Sequence, residues 1–408
     1  MHGCFQGDIR RMLTAMDNIA ADRYDISSSS WSELDAGALL DAFIAEKRAD
    51  RLHVLGFPGN LDFRFSRFAE LLNLLVNNVG DPHSPDKSAM NSKAMERAVI
   101  AFMAELANGD PAATYGYVTS GGSEANQFGL HQGCVQLPQA RVYCSAAAHY
   151  SIRKNARLMR RELVVVGCDA QGRLDPSELA RACRADAGRG AVVAATIGAT
   201  MTGAVDDVDA LVAAAAAAGR VYVHLDAALG GLVTPFTAAG PRWGFARPEV
   251  GSVAVSMHKF LGMPVPCAVA LCRSDFVESR VEGEYVGATD ATLGCSRNGL
   301  ACALLWYSLA TQGWSGLAAN AQRGLDLAEY AAKRLADAGL QPVAAADSVV
   351  VVFDRPAEWV CRKYHLATEG DRAHIVTVGH VTEEMIDQLC RAAAAHPRPG
   401  GTSLRESR

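Results

Sequence analysis

Three residues that could do chemistry stand directly behind short apolar runs in the middle of the chain. Lys259 lies in SMHKFLG (256–262), Asp226 ends the run VYVHLD, and His149 follows RVYCSA. A lysine amine can form a Schiff base when it is buried beside an aldehyde. A buried carboxylate needs a cationic partner such as a protonated pyridine nitrogen, and an imidazole can stack on a ring or move a proton. Taken singly, a surface lysine, a capping aspartate and a structural histidine explain them at least as well.

A fourth segment, VTSGGSEANQFGL (118–130), has the composition of an anion site. A predicted strand runs into Gly121 and Gly122, and Ser123 opens a predicted helix. Backbone amides in such a turn and at a helix N-terminus attract a phosphate, and glycines let it approach closely. The spacing matches neither a P-loop nor GxGxxG, so a nucleotide is not indicated. An ordinary strand-to-helix turn explains the segment alone equally well.

These features gain weight as a set, because each follows a strand of one predicted sheet and all could meet at one edge of it. A phosphate cradle, an acid for a pyridinium, a ring-stacking imidazole and a Schiff-base lysine are the demands of pyridoxal 5′-phosphate. Small Ala228 would let a flat ring lie close to the backbone. Thr200, in TIGATMTGAVDD (196–207), is a further hydrogen-bond donor near a strand end.

The elements that must position these residues can be read from periodicity. Seven β-branched runs between residues 113 and 272 alternate with helical segments, which predicts a doubly wound α/β sheet. The last two runs are separated only by a loop, so we expect one antiparallel edge strand. Further helices are expected over 32–48 after a Ser32 cap, over 63–82, over 93–110 and over 382–395. Two more strands are expected over 348–355 and 374–379. The predicted organisation is an N-terminal helical arm (1–55), a large cofactor-binding domain (56–310), a small C-terminal α+β domain (311–395) and a disordered tail (396–408).

Composition excludes several classes of protein. The chain has 408 residues, 50% of them hydrophobic, with a formal net charge of −5. It is too apolar for a disordered chain, and without a basic surplus it is not expected to bind nucleic acid. No run is long and apolar enough to span a membrane. The sequence contains no HExxH motif, so a metal site is not indicated. Eleven scattered cysteines without a CxxC pair predict a cytoplasmic location with reduced thiols.

Eight motifs occur in order across residues 53–393, and together they are highly specific. The sequence in this range resembles the group II pyridoxal-phosphate decarboxylases, most of all the short bacterial histidine decarboxylases and the plant serine decarboxylases. The motifs are GFP (56–58), LLNLLVNNVGDP (71–82), YGYVTSGGSEAN (115–126), HYS (149–151), DAALGG (226–231), SMHKFLGMPVPC (256–267), TDATLGCSRNG (289–299) and VVVFDRP (350–356).

The resemblance implies fold type I of the pyridoxal enzymes, with a seven-stranded mixed sheet in the large domain and an active site shared across a homodimer. It also implies roles: Lys259 binds the cofactor, His149 stacks on its ring, Asp226 pairs with the pyridine nitrogen, and Ala228 lies on the opposite face. Thr200 would lie near the phenolic oxygen. The residues implied around the phosphate are Gly121, Gly122, Ser123, Ser256 and His258.

The implied function is decarboxylation of an L-amino acid, of the histidine or serine type, to its amine and carbon dioxide, as a biosynthetic lyase. The sequence departs from those families at two positions. Leu300 stands where they usually have His, and Ala199 interrupts the TxGTT pattern. An apolar substrate such as valine, leucine or methionine is therefore an alternative. Aminotransfer is another possible reaction, since Arg297 could clamp the substrate carboxylate. A protein that binds the cofactor without turnover is disfavoured, because Lys259, Asp226 and His149 are all present. Tyr285 is the predicted donor of a proton to Cα, with His149 second. Its segment (281–294) suits a closing lid, or equally a plain interface loop.

Overall fold

The structure, a computed structural model, describes most of the chain. Its described residues are 24, 26, 31–84, 88–277, 281–283 and 288–395, with the backbone alone for 281–283 and 288–289. Tyr285 and the predicted tail over 396–408 lie outside these ranges. The chain divides into two compact units, residues 1–52 and 53–408. Within the described residues, no helix is both long and apolar enough to cross a membrane.

The helices are few and mostly short, apart from one of 39 residues. They are α1 (Glu33–Asp50), α2 (Lys93–Leu106), α3 (Gly122–Gln136), α4 (Tyr150–Leu158), α5 (Pro176–Ala185), α6 (Val208–Ala215), α7 (Gly299–Asp337), α8 (Glu358–Lys363) and α9 (Glu383–Ala395). Single 3₁₀ segments run over Arg51–His53, Ser66–Asn73, Pro111–Ala113, Ala216–Ala218, Gly230–Leu232, Thr234–Phe236, Gly240–Arg242, Gly244–Ala246 and Ser274–Phe276.

The strands fall into one large sheet, one small sheet and two short pairs. They are β1 (Asn77–Val79), β2 (Thr114–Thr119), β3 (Arg141–Ser145), β4 (Leu163–Val166), β5 (Ala191–Thr196), β6 (Val221–Asp226), β7 (Val250–Ser256), β8 (Ala268–Arg273), β9 (Val281–Gly283), β10 (Ala288–Asp290), β11 (Ser296–Asn298), β12 (Val343–Ala344), β13 (Val350–Asp354), β14 (Ala367–Glu369) and β15 (Arg372–Val376).

The first unit contains α1, which begins where the sequence predicts a helix. Ser32 is its N-cap, and its Oγ accepts a hydrogen bond from the backbone N–H of Asp35 at 3.1 Å. Such a cap satisfies one of the free N–H groups of the first turn. The helix buries none of its side chains.

The large sheet has the order β2-β8-β7-β6-β5-β3-β4, which confirms the seven predicted strands and the mixed sheet. β8 is antiparallel to both neighbours, and the other pairings are parallel. The antiparallel strand is therefore not at the edge as expected, because β2 pairs along the outer side of β8. Since β2 runs in the same direction as β7, the carboxyl ends of β2, β3, β5, β6 and β7 lie at one edge of the sheet.

Helix α3 packs closely on the buried sheet because its inward face carries glycines. A Cβ at Gly129 would overlap the imidazole of His224 on β6, and one at Gly133 would lie 2.6 Å from the ring of Tyr222. β7 beneath it is buried along its whole length. A strand covered on both faces reads as a continuous apolar run, which is why its position was predictable.

The helix predicted over 63–82 is wrong. The chain forms a 3₁₀ segment over Ser66–Asn73, and β1 then pairs antiparallel with β11. The side chain of Asn78 in β1 is buried, donates to Glu96 Oε2 at 2.7 Å and accepts from the Ser92 N–H at 2.8 Å. This tertiary pairing outweighs the local apolar periodicity that favours a helix.

A four-stranded sheet of order β12-β13-β15-β14 forms the C-terminal part. It contains the strands predicted over 348–355 and 374–379, and α9 occupies the predicted helix over 382–395. Helix α7 runs through the predicted boundary at 310/311 and leaves helical geometry at Gly313, where φ is 58° and ψ −168°. The boundary itself stays a prediction.

Candidate active site

The sheet edge gathers the predicted chemistry-bearing segments. Gly121 and Gly122 follow β2, His149 follows β3, Asp226 is the last residue of β6, and Ser256 is the last of β7. Lys259 comes three residues later in the loop behind β7. This edge is where α/β sheets bind their ligands.

The lysine, the aspartate and the histidine lie within electrostatic reach of one another. Asp226 is 4% exposed, and Lys259 is partly buried. Burial lowers the pKa of Lys259 below that of an ordinary lysine, and the carboxylate of Asp226 opposes this shift. Burial also lowers the pKa of His149, which Asp226 raises and Lys259 lowers. A lysine shifted in this direction is more readily the uncharged amine, the form that attacks an aldehyde.

The loop that carries Lys259 is held by Asn60. The backbone N–H of Asn60 donates to the carbonyl of Lys259 at 2.8 Å, and its side chain donates to the carbonyl of Phe260 at 3.1 Å. Gly262 has φ +83°, and a Cβ there would lie 2.8 Å from the Asn60 carbonyl. Sequence reasoning missed Asn60, because within GFPGN it looks only like a turn residue.

The glycine turn forms an open cradle beside β7. Gly121 has φ +155°, a conformation that favours glycine. A Cβ at Gly122 would lie 2.6 Å from Ser256 Oγ and 4.0 Å from the Ala228 Cβ, so these three predicted site residues are neighbours. The carbonyl of Ser123 accepts a hydrogen bond from Asn155 Nδ2 at 2.8 Å, which fixes the start of α3.

The remaining predicted residues differ in placement. His258 Nδ1 lies 3.0 Å from the carbonyl oxygen of Cys267 and 3.3 Å from its backbone nitrogen, and burial lowers the pKa of His258. Thr200 lies on an exposed turn after β5. Tyr285 lies outside the described residues, and the backbone on either side of it forms the antiparallel pair β9–β10.

The residues present fit pyridoxal 5′-phosphate. A phosphate needs close approach to backbone amides, and a side chain at Gly122 would fill the space above Ser256. An aldehyde needs an amine in its uncharged form, which the burial of Lys259 promotes. A pyridinium needs a buried carboxylate, and Asp226 supplies one at the end of a central strand.

Comparisons with known proteins agree with this fit. Residues 131–354 match the family described as the pyridoxal-dependent decarboxylase conserved domain. The chain is 35% identical to serine decarboxylase 2 of Oryza sativa subsp. japonica over 354 residues, 85% of this chain and 75% of that protein. The chain belongs to the pyridoxal-dependent decarboxylase family. It is also 33% identical to the histidine decarboxylase of Pseudomonas entomophila (strain L48), over 89% of this chain and 91% of that protein.

A solved structure supports the fold assignment of this decarboxylase. L-methionine decarboxylase from Streptomyces sp. 590 superposes with a TM-score of 0.84 at 22% identity, over 92% of this chain and 98% of the other. The seven-stranded mixed sheet and the separate C-terminal sheet are those of fold type I. The chain is therefore a pyridoxal 5′-phosphate-dependent carboxy-lyase that acts on an amino acid.

Sequence reasoning missed a buried polar cluster beneath Asp226. Asn126 Nδ2 donates to Asp226 Oδ2 at 2.9 Å and lies 3.0 Å from Ser151 Oγ, which is 2.8 Å from His149 Nδ1. His224 was detectable, since a residue two before Asp226 on one strand shares its face. Asn126 and Ser151 lie in motifs already noted, SEAN and HYS, but there they look like helix and turn residues. The cluster is completed by His224 and Ser252.

Arg297 is engaged in a buried ion pair with Glu96. Their side chains are 4% and 0% exposed, and Arg297 Nη2 also donates to the Gly80 carbonyl at 2.7 Å. Removing a partner from such a pair leaves an uncompensated buried charge. Arg297 therefore joins β11 to α2 and the segment after β1, and both its Nη groups are engaged in these contacts.

Gly122→Ala should weaken cofactor binding by about tenfold or more, because the new Cβ would crowd Ser256 Oγ where the phosphate approaches. Titration of the apo-protein with pyridoxal 5′-phosphate, followed by absorbance, measures this. Gly37→Ala is the matched control, since a Cβ there meets nothing within 4 Å. Equal affinities for both variants would contradict the cradle.

The rate at which the apo-protein takes up pyridoxal 5′-phosphate should rise with pH and reach its midpoint below the pKa of an ordinary lysine, about 10.4. Asp226→Asn should move the midpoint to still lower pH, because it removes the charge that raises the pKa of Lys259. Stopped-flow absorbance across a pH series measures both. The exposed Asp326→Asn serves as control, and a midpoint at the ordinary lysine value would count against a buried amine.

Proposed function

We propose that this decarboxylase acts on a polar L-amino acid of the serine or histidine type and releases its amine and carbon dioxide. The observation that carries the proposal is the sheet edge that holds Asp226, His149 and Lys259, where hydrogen bonds through Asn126 and Ser151 connect Asp226 to His149. The decarboxylases of 33–37% identity named for serine and histidine support this substrate class.

Each residue has a task in this mechanism. The uncharged amine of Lys259 binds the cofactor, and the carboxylate of Asp226 lies at the end of β6, where it can balance the charge of a ring nitrogen. Pyridoxal 5′-phosphate, when bound, supplies a π system that accepts the electrons of the breaking Cα–carboxylate bond. His149 would cover one face of the bound ring and help to exclude water. A proton must then return to Cα, for which Tyr285 stays the predicted donor and His149 the second candidate.

Leu300 favours a second candidate substrate class. It stands at the start of α7, is partly buried and packs against the main hydrophobic core. In the proposal its segment shapes the substrate side, where an apolar side chain offers no hydrogen bond to a polar substrate. Valine, leucine or methionine is therefore the alternative to serine or histidine.

Aminotransfer is disfavoured by the state of Arg297. An aminotransferase commonly holds the substrate carboxylate with an arginine, but the Arg297 guanidinium is bound to Glu96 and the Gly80 carbonyl. A decarboxylase must release that carboxylate as carbon dioxide, so it has no need of such a clamp.

We further propose that the chain works as a homodimer in the cytoplasm, with its active sites shared between subunits. Leu72, Leu74 and Leu75 are 72%, 54% and 72% exposed in the single chain, an apolar surface that a second copy would cover.

The ten cysteines in the described part of the chain are free thiols, as in a reducing compartment. Fractionation of expressing cells tests the location, and recovery outside the cytoplasmic fraction would contradict it.

The cofactor-loaded protein, incubated with each of the twenty amino acids, should release carbon dioxide and the amine of serine or histidine. Mass spectrometry identifies the amine, and trapping measures the carbon dioxide. Lys259→Ala should abolish turnover, and Asp226→Asn should lower it at least tenfold, about 1.4 kcal/mol of barrier. A keto acid without carbon dioxide would sink the decarboxylase assignment, and amines from apolar amino acids alone would favour the alternative.

Leu74→Glu combined with Leu75→Glu should shift the protein from dimer to monomer and reduce turnover, because two charges would be placed in the proposed interface. Sedimentation velocity measures the mass. Val343→Glu, at a residue 62% exposed on the small sheet, is the control and should remain dimeric. A wild-type protein that sediments as a monomer with full activity would refute the shared site.

A further inference from the structure

The buried cluster beneath the site centres on one amide. Asn126 is 2% exposed, and Ser151, His224 and Ser252 are fully buried. The large majority of polar side chains so deep in a protein have their donors and acceptors matched, and the contacts of this cluster match. The direction of every hydrogen bond in the cluster can therefore be worked out from its chemistry.

The carboxylate of Asp226 orients the amide of Asn126. An ionised carboxylate only accepts hydrogen bonds, so the NH₂ group must face Asp226 Oδ2, 2.9 Å away. The amide oxygen then faces His224 Nε2 at 3.0 Å, and that nitrogen must carry a hydrogen. Burial lowers the pKa of His224 to about 4, so the ring is neutral and its bare Nδ1 accepts from the Ser252 hydroxyl at 2.8 Å.

The second N–H of the same amide acts through Ser151 on the protonation pattern of His149. It donates to Ser151 Oγ at 3.0 Å. The backbone N–H of Ser151 donates to His149 Nδ1 at 3.3 Å, so Nδ1 is an acceptor, and the Ser151 hydroxyl donates to it at 2.8 Å. Because Nδ1 accepts from an N–H it carries no hydrogen, so the one ring proton of His149 is on Nε2. Burial, which lowers the pKa of His149, favours this neutral form.

We propose that Asn126 is a positioning residue whose single amide holds the carboxylate of Asp226 towards the cofactor ring nitrogen and fixes His149 as the Nε2–H tautomer. The role rests on the proposed function. The order of donation runs from Ser252 through His224 and Asn126 to Asp226, with a branch through Ser151 to His149.

The geometry leaves the amide no second arrangement. A flipped amide would set its oxygen against the oxygen of Asp226 and its NH₂ against the protonated nitrogen of His224. Helix α3, which carries Asn126, is held against the sheet at Gly129, where any side chain would overlap the His224 ring. His224 therefore fixes the amide from one side and Asp226 from the other.

Asn126→Leu keeps the number and branching of the heavy side-chain atoms and removes both donors and the acceptor. It should weaken pyridoxal 5′-phosphate binding to the apo-protein by about tenfold, or 1.4 kcal/mol, and also lower kcat, with KM changed less than kcat. Asn320→Leu, which removes an amide on α7 that bonds Gln312, is the matched control and should change neither value. Ser151→Ala cuts only the branch to His149, so it should lower kcat and leave cofactor affinity intact.

Asn126→Asp provides a readout that a merely structural role would not move. At high pH two carboxylates face each other and cofactor affinity should fall below that of Asn126→Leu. As the pH decreases the pair takes up a shared proton, the new carboxyl can donate as the amide does, and affinity should recover towards wild type. Comparison with wild type at each pH removes the contributions of His149, His224 and Lys259.

The outcomes separate the two proposals. A wild-type protein that forms no visible absorption band with pyridoxal 5′-phosphate overturns the proposed function and this role with it. If wild type forms a normal band, but Asn126→Leu has the same cofactor affinity and kcat as the control Asn320→Leu, only the role of Asn126 is overturned. Loss without pH-dependent recovery in Asn126→Asp, in a protein whose circular dichroism is native, also overturns it.

Discussion

The structure depends on keeping a carboxylate in the interior of the protein. Asp226 ends the central strand β6 and is 4% exposed, and burial of an unpaired charge is strongly unfavourable. Its oxygens accept from the Asn126 amide and, at 3.3 Å, from the backbone N–H of Ala228. The nearby Lys259 adds a positive charge when protonated. In the proposed function a cationic ring nitrogen would complete this set, so the cofactor would help to neutralise the acid around which the site is organised.

One helix connects the two ends of the cofactor site. Gly122 opens α3 beside Ser256, and Asn126 lies four residues later, one helical turn and about 6 Å along the axis. Residues four apart share a helix face. The glycine proposed to receive the phosphate and the amide proposed to orient Asp226 therefore belong to one helix. Gly129, about one turn further along, sets how closely the helix approaches the sheet.

The local sequence was sufficient to predict those elements that local residue patterns determine. The seven strands of the large sheet are short β-branched runs, and chemistry placed directly after them locates the site edge. The helix over 63–82 was wrong because β1 pairs with β11, more than 200 residues away, and nothing in the local apolar pattern encodes a distant partner. The amide of Asn126 was missed for the same reason, since its meaning comes from Asp226 and His224 on another element.

The backbone on either side of Leu300, the residue behind the proposed alternative substrate class, is fixed by contacts. Leu300 follows Gly299, whose N–H donates to the Val76 carbonyl at 3.1 Å and where a Cβ would lie 2.7 Å from the Val76 side chain. Asn298 caps α7 by accepting from the Ala301 N–H at 3.0 Å, and Arg297 is tied to Glu96. With the chain held on both sides, a change at position 300 alters the chemistry offered there without moving the backbone. A substitution at position 300 therefore bears on the proposed substrate class without disturbing the elements that carry the cofactor-site residues.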